Sequence, residues 1–190
     1  TLPVLIAMHV QASDRDQLLL FQRSVGTSSA LSDSRYEYSQ PAMAANDPQI
    51  VVFRQRRISI RDGHKVFSPG DIQFRPATLA GFAGTPTTLP VSVSSIERDE
   101  SQPAVTADGR YLAFVRAGGN DRLFVWDTQT QTLLNSNGVD LGQSFTDLHC
   151  GSLSLYTRLV FATSAISTSA FSQVGNVNAT LVQASSIGIF

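Results

Sequence analysis

The chain has 190 residues, of which 42% are hydrophobic and 15% are charged, and its formal net charge is -1. This length suits a single domain with a substantial core. A net charge near zero argues against bulk electrostatic attraction to nucleic acid or to an anionic membrane, and we expect no nucleic acid partner. No stretch approaches the roughly 18 consecutive apolar residues of a membrane-spanning helix.

The amino-terminal part of the chain predicts two strands and a loop. Residues Pro3–Val10 are apolar and favour a strand, because Pro3 and the break at Ser13-Asp14 leave little room for a helix. The apolar run Leu18–Phe21 predicts a second strand. The small, polar residues of Gly26–Ser34 indicate a loop.

The segment 36–65 contains a further set of strand signals. It includes Gln40-Pro41-Ala42-Met43, after which the apolar run Ile50–Phe53 predicts a buried strand. We expect a third strand over Arg57–Gly63, ending at the turn signal Asp62-Gly63.

The segment 66–95 is more divergent. Ser68–Asp71 is a turn signal, the following Ile72–Phe74 predicts a strand, and Gly81–Pro90 indicates a loop or linker. Two interpretations stay open for this segment. It is either a divergent unit of its own or the outer strand of the preceding unit with a long connection.

The segment 98–134 has the clearest pattern, which is three strands joined by tight turns. Asp108-Gly109 marks the first turn and Gly118–Asp121 the second, because Gly, Asn and Asp tolerate the positive φ that such turns need. Tyr111–Arg116 alternates between two faces, and Leu123–Trp126 is continuously apolar. Both patterns are typical of strands buried on at least one face.

This segment and the earlier 36–65 are similar to each other. Gln102–Val105 parallels Gln40–Met43, and Tyr111–Phe114 parallels Ile50–Phe53. By the same comparison, the strand expected over Arg57–Gly63 corresponds to Leu123–Asp127. An internal repeat of this kind predicts a fold built from similar stacked units.

The carboxyl-terminal segment 143–190 repeats the signals weakly. Thr157–Phe161 is a further turn-plus-strand step, and strands are expected over Ile166–Phe171 and Asn178–Ala184. No convincing amphipathic helix occurs anywhere in the sequence. We therefore predict an all-β chain of antiparallel strands, with divergent units at 1–30, 66–95 and 143–190.

The clearest unit resembles the repeat of TolB-like β-propellers, which are relatives of the WD-repeat blade. The resemblance lies in Pro103-Ala104, the turn Asp108-Gly109-Arg110, the strand Leu112-Ala113-Phe114 and the strand Leu123–Asp127. Thr106-Ala107 replaces the usual Ser-Pro, and Gln131 replaces a usual Gly. The resemblance implies one β-propeller-like domain over 1–190 in a periplasmic or otherwise extracytoplasmic setting. At about 40–45 residues a blade, the chain holds about four to five blades. A small closed propeller, an incomplete or open one, and a blade-like sandwich all stay open.

Candidate catalytic and metal-binding residues are few. His149-Cys150 with Asp147 has the residue types of a nucleophile with a base or of a metal-ligand pair, but a strand-edge histidine and a buried thiol are the favoured interpretation. There is no Gly-x-Ser-x-Gly serine hydrolase signature. Trp126 is favoured as a packing residue over a ligand platform. We predict no catalytic residue, no metal and no cofactor.

The main concentration of basic residues contains the predicted partner-binding site. The concentration comprises Arg54, Arg56, Arg57, Arg61, His64 and Lys65, and its four arginines are the predicted site. Arg54 and Arg56 lie on one strand face and the other two arginines on the opposite face if the strand continues. An acidic protein surface or lipid headgroup is the matching partner. A solvated sheet face with salt bridges is the plainer alternative.

These features predict a non-catalytic scaffold or accessory subunit that binds other proteins, within an extracytoplasmic or membrane-associated complex. One alternative is a propeller that binds a carbohydrate or small ligand through loops between its blades, for which Trp126-Asp127 is the single aromatic-plus-acid pair. A further alternative is the non-catalytic propeller portion of a larger hydrolase.

Overall fold

Every regular element of the computed structural model, in the part of the chain that it describes, is a β-strand. The strands pair antiparallel and form four sheets within this part. The all-β prediction is therefore confirmed there. The described residues are 5–11, 16–22, 25–44, 49–90, 93–94, 97–134, 136–140, 147–153 and 156–162.

Sheet I consists of β1 (Leu5–Gln11), β2 (Asp16–Gln22) and β3 (Thr27–Leu31), in that order. The first two strands confirm the expected amino-terminal strands. The loop expected over 26–34 is wrong in part, because Thr27–Leu31 pairs with β2. Its Ser and Thr side chains are mostly exposed, as suits a strand at the edge of a sheet.

Sheet II has three central strands, to which a hairpin and two short outer strands are added. The central order is β4-β5-β7, while β6 pairs with β5, and β8 and β9 pair with β7. The strands are β4 (Tyr36–Met43), β5 (Ile50–Arg61), β6 (His64–Phe67), β7 (Asp71–Thr78), β8 (Gly81–Phe82) and β9 (Thr87–Thr88).

The third strand of sheet II differs from the expectation. Residues 57–61 continue β5, and Asp62 and Gly63, with φ of 52° and 77°, turn the chain directly into β6. The predicted strand over 57–63 is therefore wrong, although its turn signal is correct. The strand that corresponds to Leu123–Asp127 is β7, so 66–95 supplies outer strands to the preceding unit.

Sheet III confirms the three strands and two turns expected over 98–134. Gly109 has φ of 72° in the first turn, where its N–H donates to the carbonyl of Thr106 at 2.8 Å. The central order is β10-β11-β12-β13, and β14 also pairs with β12. The strands are β10 (Glu100–Val105), β11 (Tyr111–Arg116), β12 (Arg122–Asp127), β13 (Thr132–Leu133) and β14 (Val139–Asp140).

Sheets II and III share a detail that the sequence repeat encodes. The first strand of each contains Ser-Gln-Pro-Ala, and a register shift lies between Ser and Ala in both pairings. At these β-bulges Gln40 and Gln102 adopt left-handed backbone angles, with φ of 52° and 55°. The internal repeat is thus also a structural repeat.

Successive sheets pack face to face across hydrophobic clusters. Alternate residues of β5 point to opposite faces, so Val51 and Phe53 join Leu18 and Leu20 of sheet I in one cluster. Val52 joins a second cluster shared with sheet III. That cluster also contains Ile72, Leu112, Phe114, Phe124 and Trp126. Sheet II is therefore buried on both faces.

Sheet IV consists of β15 (Asp147–Leu153) and β16 (Tyr156–Ala162). The second of these confirms the strand step expected at Thr157–Phe161. The first strand of sheet III, β10, lies beside both β4 and β15. The strands expected over 166–171 and 178–184 lie outside the described residues.

Candidate functional site

The four arginines of the predicted site do not form one surface. The guanidinium of Arg54 lies between sheets II and III, where its Nη2 donates to the two carboxylate oxygens of Asp99 at 2.5 and 2.7 Å. Its Nε donates to the carbonyl of Glu100 at 3.1 Å. Arg54 therefore joins two sheets and is not presented to a partner.

Arg56 is also held within the fold. Its Nη2 donates to Oε1 of the buried Glu37, directly across the β4–β5 ladder, at 2.6 Å. Its guanidinium carbon lies 4.3 Å from the centre of the Phe67 ring, a cation–π arrangement that positions this aromatic side chain.

Arg57 and Arg61 lie on the hairpin formed by β5 and β6, and both are exposed. The predicted division of the four arginines between two strand faces agrees with the continuous β5, since Arg57 and Arg61 share the parity opposite to Arg54 and Arg56. The hairpin, defined as residues 57–67, is the part of the predicted site that faces solvent.

Each face of the hairpin combines apolar and basic residues. Directly paired residues share a face, so Ile58, Ile60, Lys65 and Phe67 lie on one face and Arg57, Ser59, Arg61, His64 and Val66 on the other. Ile60 is 66% exposed and Phe67 is 37% exposed. The hairpin therefore presents exposed apolar and basic side chains together on both faces.

One edge of the hairpin is open. The N–H of Ile58 donates to the carbonyl of Arg35 at 2.8 Å on the side toward β4. In an antiparallel ladder the direction of the backbone groups alternates, so the N–H and C=O of Ile60 point to that same side. Within the described residues no strand pairs with Ile60 there.

A polar cleft that the sequence did not predict lies between sheets I and II. Its cavity volume is about 590 Å³, within the roughly 300–1,000 Å³ typical of small-molecule sites. Tyr38 of β4, Gln55 of β5 and Asp71 of β7 form one row across three strands. Gln73 and Thr88 form part of the next row.

Burial changes the acid–base properties of this cleft. Desolvation raises the pKa of Tyr38 to about 12. Burial also raises the pKa of Asp71, against the lowering effect of the hydrogen bond from the Ser94 hydroxyl. Both side chains therefore favour their neutral forms more than they would in water.

The aromatic-plus-acid pair Trp126-Asp127 serves the interior and a turn. Trp126 is buried in the cluster between sheets II and III, as the packing interpretation expects. Burial alone would raise the pKa of Asp127, but the backbone N–H groups of Gln129 and Thr130 and the guanidinium of Arg110 lower it overall. The pair thus contributes no ligand-stacking surface.

The residues of the other sequence candidate, His149 and Cys150, lie on β15. Cys150 is opposite Leu159 in the β15–β16 ladder. Their side chains lie outside the description, so the interpretation of this pair stays a prediction. Asn178, in a glycosylation triplet, is likewise outside the described residues.

The described residues include no helix long and apolar enough to cross a membrane. No group of three or more His, Cys, Asp and Glu side chains within the same residues has a metal-binding arrangement.

Comparison with known proteins shows no family for this chain. No protein-family model matches the sequence, and no curated protein matches it. Among solved structures, a puromycin-hydrolysing peptidase of Mycobacterium tuberculosis is similar with a TM-score of 0.23 and 8% identity. The match covers 84% of this chain and 41% of the peptidase chain. We infer neither fold family nor activity from it.

Proposed function

We propose that this chain is a non-catalytic scaffold or accessory subunit that binds another protein, and that the 57–67 hairpin is its docking element. The hairpin carries the proposal because it extends beyond the rest of sheet II and combines exposed Ile60 and Phe67 with exposed Arg57 and Arg61. Aromatic residues and arginine are enriched in protein interfaces.

The partner that fits this hairpin is an extended protein segment that carries both acidic and apolar side chains. The open edge at Ile60 favours addition of a strand, in which main-chain hydrogen bonds provide affinity. Carboxylates of that segment would pair with Arg57 and Arg61. Charge complementarity of this kind mainly increases the association rate and selects the partner.

The proposed architecture is an incomplete or open β-propeller-like domain related to the TolB-like repeat, in an extracytoplasmic setting. Three observations support it: sheets that follow one another in chain order, a shared bulge in the first strands of sheets II and III, and the neighbouring positions of β4, β10 and β15. Radial repetition of this type protects sheet edges.

The proposal is tested by affinity capture from membranes of the native source, with mass spectrometry, using the double variant Arg57→Glu/Arg61→Glu and the variant Ile60→Ser. Both should lose a protein that the wild type retains. The matched controls are Arg98→Glu and Leu79→Ser, which change an exposed arginine and an exposed leucine outside the hairpin.

Two results would contradict the proposal. One is equal recovery of every co-purifying protein by the hairpin variants and their controls. The other is purification of the wild type as a free monomer at all salt concentrations. A retained protein whose capture also weakens with added salt supports the pairing with arginine.

A further inference from the structure

Four polar side chains that line the cleft between sheets I and II are not used by the fold in the described part of the chain. No hydrogen bond joins the side chains of Tyr36, Tyr38, Gln55 or Gln73 to another described residue. Within the described residues, the Ser39 hydroxyl is the one fully buried polar side-chain atom without a partner. Tyr38 is 4% exposed as a whole residue and lines the cleft, and its hydroxyl is not among the fully buried atoms.

The lining has a chemistry that suits a neutral ligand. Its described residues include no lysine, arginine or histidine. The Asp33 carboxylate at the rim is already bound by Arg35, whose Nη2 donates to it at 2.7 Å. The other polar lining groups include two side-chain amides, the hydroxyl groups of Tyr36 and Tyr38, and the carboxyl group of Asp71, which accepts from the Ser94 hydroxyl. A side-chain amide has both a donor and an acceptor, so it can bind two adjacent hydroxyl groups of a sugar ring at once.

The shape of the lining indicates an elongated ligand. The row from Tyr38 through Gln55 to Asp71 crosses two gaps between strands, a length of about 10 Å. Tyr36 lies at one end with a partly exposed ring, tilted 41° from that of Tyr38 at a centroid distance of 6.2 Å. An aromatic surface beside a row of hydrogen-bonding groups matches the two sides of a sugar ring.

We propose that this cleft binds a neutral oligosaccharide, with Gln55 and Gln73 hydrogen-bonding its hydroxyl groups and Tyr36 contacting its apolar ring face. The site is on the face of sheet II, with Ser32, Asp33 and Pro86 of the connecting loops at its margin, and it is separate from the Trp126-Asp127 pair. It does not depend on a protein partner at the hairpin. The two proposals can therefore succeed or fail separately.

The test is an array of neutral oligosaccharides, followed by saturation-transfer NMR titration of any sugar that binds. Gln55→Ala removes a hydrogen bond and Tyr36→Ala removes an apolar contact, so each should raise the dissociation constant of the sugar by about three- to tenfold. The matched control is Gln129→Ala, which truncates an exposed glutamine in the β12–β13 turn and should leave the affinity unchanged. Circular dichroism with a thermal melt verifies that each variant is folded.

Each outcome decides for or against the cleft. An array without binding overturns the proposal, as does a sugar whose affinity is the same in Gln55→Ala, Tyr36→Ala and wild type. Inorganic phosphate is the charged probe, and a phosphate-induced NMR shift at Gln55 without any sugar effect would also overturn it. Loss of sugar binding in the two cleft variants, with Gln129→Ala unaffected, supports it even if the hairpin variants bind normally.

Discussion

The backbone N–H of Gln102 donates a hydrogen bond to the side-chain Oε1 of Gln40 at 2.9 Å. The two glutamines occupy equivalent positions in sheets II and III, each at a β-bulge and each with positive φ. The side-chain oxygen of Gln40 at one bulge therefore accepts a hydrogen bond from the backbone N–H of Gln102 at the other bulge. This contact joins the first strands of two repeats directly.

The two glutamines occupy equivalent positions, but Gln40 uses its side chain in this hydrogen bond and Gln102 uses its backbone N–H. The same substitution should therefore have different effects at the two positions. Gln102→Gly keeps the N–H donor and relieves the positive φ, so we expect a change in unfolding free energy within about 1 kcal/mol. Gln40→Gly removes the acceptor as well and leaves that N–H unpaired, which costs about 1–3 kcal/mol more. Urea denaturation of both variants measures the difference. Equal stabilities would show that the inter-sheet hydrogen bond contributes nothing.

The contact between sheets II and III at Gly70 has no room for a side chain. A Cβ there would lie 2.3 Å from Nε of Arg54 and 2.7 Å from the carbonyl oxygen of Glu100. We expect Gly70→Ala to destabilise the fold by about 1–3 kcal/mol, as overpacking does. The control is Gly119→Ala, where nothing lies within 4 Å. Thermal melts of the two variants make the comparison, and a Gly70→Ala protein as stable as Gly119→Ala would contradict the close approach.

A buried ion pair at the start of β10 predicts a rescue experiment. Glu100 is fully buried and accepts from Nη2 of Arg116 at 2.8 Å. Glu100→Leu should cost about 3–5 kcal/mol because it leaves the largely buried guanidinium of Arg116 without a carboxylate, with only the carbonyl of Val93 as acceptor among the described residues, whereas the double variant Glu100→Leu/Arg116→Met should recover most of that loss.

The control for this experiment is the exposed pair formed by Arg122 and Asp140, whose nearest N and O atoms are 3.6 Å apart. Asp140→Ala should cost less than about 1 kcal/mol. Chemical denaturation of all the variants gives the ranking. A double variant no more stable than Glu100→Leu would show that packing at Glu100, and not its charge, is the important factor.

The buried phenol of Tyr38 predicts a loss of stability in alkali. Because its folded-state pKa is raised from 10.0 to about 12, the neutral form stabilises the fold fully below pH 10, and this stabilisation is lost as the pH rises from 10 to about 12. Tyr38→Phe should therefore flatten the dependence of stability on pH in that window. Melting temperatures measured across it test this. Tyr111→Phe is the matched control, and equal flattening in both variants would contradict the role of Tyr38.

The strands of sheet III were predictable because local signals agreed with one another. Asp108-Gly109 supplies a turn, and Leu123–Trp126 supplies a continuous apolar run for a strand that is buried in the structure. The continuity of β5 from Ile50 to Arg61 was not predictable in the same way. The apolar and charged alternation continues past Arg56, and only pairing with β7 as far as Gln55 shows where the central sheet ends.

The sequence by itself determined the all-β class, the repeated Ser-Gln-Pro-Ala step and the alternation of the arginines, because these depend on near neighbours in the chain. Tertiary structure decided which arginines are available, since the partner of Arg54 is Asp99, 45 residues away. Tertiary structure also formed the cleft, in which strand register places Tyr38, Gln55 and Asp71 in one row. Register depends on how whole strands pack against a neighbouring sheet, and no local pattern specifies that.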